Sequence, residues 1–77
     1  MNTNETINVL KAFYFGSESM EIIAKKTGVE RDEVREILRG ARECGLIKYS
    51  TKDYYETFHH VERKKLGQYL KTKGFIK

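Results

Sequence analysis

Residues 31 to 42 read RDEVREILRGAR and place Arg31, Arg35, Arg39 and Arg42 within twelve positions. At 3.6 residues per turn these arginines share an arc of roughly 80°, centred about 120° from the apolar residues of the same segment. A guanidinium is permanently charged and presents a planar fork of donors. A row of them therefore suits phosphate oxygens or the edge of guanine. Glu33, Glu36 and Glu43, with Asp32 at the margin, fill the adjoining arc, so the helix would carry apolar, basic and acidic sides in rotation. A solvated helix laced by pairs such as Glu36 with Arg39 explains the same pattern, at about 0.2 to 0.5 kcal/mol per pair. On the alternative, Asp32 and Glu36 near the bases would accept from cytosine or orient an arginine, and would lower non-specific attraction.

Lys48 and Lys52 fall just beyond this segment, where they suit phosphate contact or a solvated surface equally. Ser19 precedes a short helical stretch; its hydroxyl is a helix cap, and the free amides around it are a second phosphate site. Tyr49, Tyr54 and Tyr55 are read as cover for the core in preference to contacts with a ligand. Other chemistry is poorly supplied. His59 and His60 are adjacent, so their side chains diverge, and with Cys44 they make no expected metal site. Neither a phosphate-cradling glycine loop, a nucleophile motif nor a carboxylate pair at acid–base spacing is found, so no cofactor and no enzymatic activity are expected. Cys44 follows the apolar pattern and is expected to be an inert buried thiol.

The elements that would position these residues are marked mostly by glycine, since proline is absent. Ile7, Val9, Leu10, Phe13 and Tyr14 predict a first helix over residues 4–15, capped by Thr3 or Asn4 and stopped by Gly16. MEIIAKKT predicts a short second helix, capped by Ser19 or Ser17 and ended by Gly28, with acid first and lysine last, as the helix dipole favours. Val34, Ile37, Leu38, Ala41 and Cys44 predict a third over residues 30–44, ended by Gly45. LIKYS and YYETF then read as a β-hairpin with Thr51, Lys52 and Asp53 at the turn. Val61, Leu66, Tyr69 and Leu70 predict a last helix over residues 59–72 whose apolar strip either folds back on the first helix or is covered by a homodimer.

Seventy-seven residues allow one small core. The net charge of +4 is uneven: residues 46–77 hold eight basic residues against three acidic, while residues 30–45 hold four arginines against five acids. Arg63, Lys64 and Lys65, followed by Lys71, Lys73 and Lys77, either add to phosphate attraction or serve only to keep the chain soluble. One cysteine permits no internal disulfide, no apolar run reaches the roughly 20 residues of a membrane span, and MNTNETINVL lacks a signal peptide's pattern. The expected location is cytoplasmic, with no membrane partner.

Within MEIIAKKTGVERDEVREILR, small Ala24 beside Ile23, Gly28 at the bend, and apolar Val29, Val34 and Ile37 resemble a helix-turn-helix. Two helices crossing at about 90–120° need a small residue at closest approach and a residue tolerant of positive φ between them. With GLIKYSTKDYYETF, similar to two strands joined by a very short wing, residues 4–58 resemble the winged helix-turn-helix family. The resemblance implies a mostly α fold with a small β-hairpin and a domain over residues 1–58, and leaves outside it the basic C-terminal helix expected from its spacing within residues 59–77. It also implies a small sequence-specific protein for double-stranded DNA, a transcriptional regulator, with the third helix in the major groove. Some of the family serve as protein docking surfaces, which leaves an interaction adaptor as the other reading.

Overall fold

The computed structural model describes residues 3–16, 19–52 and 57–76, with Thr3 and Lys52 described by backbone alone. Four helices and a two-stranded hairpin follow one another along the chain: α1 (Thr3–Tyr14), α2 (Met20–Thr27), α3 (Arg31–Glu43), β1 (Lys48–Lys52), β2 (Thr57–Glu62) and α4 (Lys64–Thr72). Each of the first three helices buries the stripe its periodicity defines, including Val9 and Phe13 from α1, Ile23 from α2, and Val34 and Leu38 from α3. The three helices pack on one another, and α4 closes against α1.

The bend between α2 and α3 is built by local hydrogen bonds. Ser19 accepts from the Glu21 amide at the start of α2. At its end the Thr27 hydroxyl donates to the Ile23 carbonyl (2.7 Å) and accepts from the Val29 amide (3.3 Å). Gly28 sits at φ 73° and donates its amide to Ala24. That backbone carries a Cβ penalty for any L side chain, so Gly28→Ala is expected to lower stability by about 1 kcal/mol. Gly40 is the opposite case. It lies inside α3, and a Cβ there would meet nothing within 4 Å. Gly40→Ala should therefore raise stability by about 1 kcal/mol. Urea melts of the two variants check the pair, and equal signs would contradict this placement of the glycines.

The hairpin differs from the expected one. Thr51 and Lys52 belong to β1, and the proposed turn residue Asp53, with Tyr54 and Tyr55, lies outside the described residues. β2 continues through His59, His60 and Val61 to Glu62, so residues 59–62 are strand and the boundary placed after residue 58 falls inside β2. Pairing is antiparallel, Thr51 with Phe58 and Ser50 with His59, but Lys48 meets Glu62, so β2 holds one extra residue opposite Tyr49. His60 absorbs this bulge at φ 56°. Ser19 also bridges to Thr57, which ties the start of α2 to the hairpin.

The expected apolar strip of the last helix does not exist as a free surface. Val61 lies on β2, while Leu66 and Leu70 are fully buried in the chain's own core. Tyr69 is half-buried against that core. Gly67 lets α4 approach α1 closely: a Cβ there would stand 2.7 Å from Cε1 of Tyr14. The fold-back alternative therefore holds, and the strip gives no reason for a homodimer.

Candidate nucleic-acid interface

Because Val34, Ile37, Leu38 and Ala41 are anchored in the core, the opposite side of α3 is turned to solvent. Arg31, Asp32, Arg39 and Arg42 are exposed there and Arg35 is half-buried. Arg31, Arg39 and Arg42 therefore protrude from the helix, while Arg35 is partly covered. Each also has a neighbour. Arg39 reaches Glu36 at 3.8 Å with both side chains more than half exposed, a geometry that contributes little to stability. Arg31 and Arg35 make further polar contacts of their own. Arg42 lies over the Tyr49 ring, 5.0 Å from its centroid.

That last contact joins α3 to β1. Tyr49 packs tilted against Phe13 and edge-on to Phe58, so the ring is held from below by the core while its outer face supports Arg42. Burial pushes the Tyr49 phenol up, against the opposing pull of the Arg42 and Arg39 cations. The expectation that Tyr49 covers the core is met, and the same ring also holds a cation in place. Periodicity carries no sign of this pairing, because it joins residues of two elements across a turn.

The hairpin lysines are less uniform than expected. Lys48 pairs across the strands with Glu62 at 3.8 Å, and the side chain of Lys52 lies outside the described atoms. Arg63 does not belong to an outward basic cluster. Its guanidinium folds back over the Phe13 ring at 5.8 Å and donates to the Tyr14 carbonyl at 3.5 Å, with its Nε buried and unpartnered. Lys64 and Lys65 stay exposed. Cys44 is exposed where burial was expected, because it stands at the C-terminal cap of α3 and no element packs over it.

The acidic arc faces elsewhere. Glu33 meets Glu5 of α1, and the hydrogen bond and like charge between them raise the Glu33 carboxyl above its ordinary value. A raised carboxyl contributes its stability in the protonated form, present below about pH 4 and lost as pH climbs through the raised value. Glu33→Gln should therefore raise the melting temperature at pH 7 and change it little below pH 4. A variant equally stabilised at both pH values would remove the carboxylate repulsion from this account.

Among the described residues no group of three or more His, Cys, Asp and Glu side chains is placed to hold a metal ion, and no described helix is long and apolar enough to cross a membrane. No family model, curated protein or solved structure matches this chain.

Proposed function

We propose that this chain is a small sequence-specific binder of double-stranded DNA, a transcriptional regulator of winged helix-turn-helix type. In this reading α3 enters the major groove and the hairpin lies along the phosphate backbone. The observation that carries it is the outward arginine side of α3, with Arg42 held on Tyr49 of the hairpin. The tight α2–α3 bend at Gly28 and the bridge from Ser19 to Thr57 support the same fold type. Guanidinium forks on such a helix pair with guanine edges or grip phosphates, and the exposed carboxylates Asp32 and Glu36 disfavour any duplex that fails to offer a donor. Ser19 spends its hydroxyl on the Glu21 amide, so its part in the interface is to cap α2, with phosphate contact left to the lysines and arginines.

Selection from random duplex DNA tests the reading, followed by affinity for the enriched sequence as salt is raised. An enriched motif is expected, and affinity should fall steeply with salt as condensed counterions leave the phosphates. Arg35→Ala and Arg39→Ala should each weaken that site by about 1–3 kcal/mol. No enrichment, with weak affinity that salt does not alter, would remove DNA as the partner and leave the adaptor.

A further inference from the structure

A groove of about 320 Å³ opens between α1 and α3, bounded by Leu10, Glu36, Ile37, Gly40, Cys44 and Tyr69. On the helical wheel its α3 residues centre away from the arginine arc and meet it only where Glu36 pairs with Arg39. Its volume is of the order of ligand sites, about 300–1,000 Å³. Gly40 is among the residues that line it, and neither its backbone nor a close neighbour requires a glycine there. Its φ is not positive, and a Cβ would meet nothing within 4 Å. A glycine inside a helix costs about 1 kcal/mol against alanine. What it leaves here is bare helix backbone facing open space, which an incoming chain could approach more closely than a Cβ allows.

The charge along the rim decides the kind of occupant. Glu36 lines the groove beside its pair Arg39; Glu33 and Glu43 continue the same flank of α3 to either side, ten steps or about 15 Å of helix apart, and Glu5 meets Glu33 from α1. An elongated cationic partner fits that spacing; a single small molecule does not. A second copy is less suited: its α3 would set carboxylates against carboxylates, its α4 keeps Leu66 and Leu70 buried, and its α2 exposes Ile22 beside Lys25 and Lys26 but keeps Met20 and Ile23 buried, so it offers no row of apolar anchors.

We propose that the α1–α3 groove docks a basic amphipathic helix of a partner protein, apolar side chains entering above Gly40 and lysines or arginines meeting Glu33, Glu36 and Glu43. This is the helix-in-groove mode, with the apolar anchors spaced three and four apart. The surface goes beyond the DNA reading and does not depend on it. The two faces share one exposed ion pair, Arg39 with Glu36.

The test uses the full chain without DNA and a synthetic 16-residue leucine–lysine peptide with leucines at helical i, i+3, i+4 and i+7 spacing. Amide shifts of the isotope-labelled protein should change around Leu10, Gly40 and Cys44. Affinity should fall at least tenfold when glutamate replaces the peptide's lysines, when alanine replaces its leucines, and in the protein variant Gly40→Leu, which fills the groove. Glu36→Lys, on the exposed rim, gives the same reading without altering the core. Shifts centred elsewhere, undiminished binding by both variants, or equal binding of the alanine peptide would overturn the proposal. So would concentration-dependent shifts at the same amides without peptide, since a second copy would then be the occupant. Arg39→Ala keeps the two readings apart: it should weaken duplex binding while leaving peptide binding in place.

Discussion

A chain ending at Phe58 should show no cooperative melt. Such a truncation removes four of the six residues of β2, and with them the pairings of Ser50 with His59 and Lys48 with Glu62. It also removes Leu66 and Leu70, both fully buried, and uncovers the face of α1 on which α4 rests. Replacing either leucine by alanine costs about 2–5 kcal/mol. Set against a total of about 4–12 kcal/mol for a domain of this size, losing both, with the strand pairing, leaves no margin. Leu66→Ala is the gentler version and should lower the urea midpoint by an amount in the single-leucine range. Circular dichroism melts of both decide the matter. A truncated chain that melts cooperatively near the temperature of the full chain would show that α4 is an appendage.

Phe13→Ala is expected to have the largest effect of any single substitution. Its ring is fully buried, meets Phe58 edge-on at 5.2 Å and Tyr49 at 6.1 Å, and lies beneath the Arg63 guanidinium. Truncation to alanine costs about 3–5 kcal/mol, and more follows if Arg63, whose Nε already lacks a partner, loses its ring. Tyr49 would lose support as well, and with it the position of Arg42. A population largely unfolded at 37 °C is expected by calorimetry. Phe13→Leu, which keeps most of the volume, should retain a cooperative melt at lower temperature. If alanine left the melting temperature nearly unchanged, the aromatic cluster would not be the joint between α1 and the hairpin.

The first three helices and their buried stripes were legible in the sequence, because helical periodicity is a local property of the backbone. Ile23, Val34 and Ile37 recur where a helix must bury them, and they are buried, as is Val29 in the bend between α2 and α3. Ser19 and Gly28 mark the ends of α2 because capping and left-handed geometry depend on one residue and its immediate neighbours. The arginine side of α3 follows from the same arithmetic: once the apolar stripe is anchored, the opposite arc has nowhere to point but solvent.

The second half of the chain was less legible for a physical reason. Residues 59–62 match a helical spacing, but their strand hydrogen bonds come from β1, a partner brought near by folding, and a bulge at His60 resets the register. Periodicity identifies Leu66 and Leu70 as apolar without saying what covers them; the crossing of α4 on α1 at Gly67 decides that. Likewise Cys44 shares the apolar spacing yet lies bare, and Arg63 is charged yet turned inward over Phe13. By itself the sequence determined the apolar positions of α1 and the apolar, basic and acidic sides of α3. Only the tertiary structure decided which faces remain open, because covering a face requires a second element whose approach depends on contacts far away in the chain.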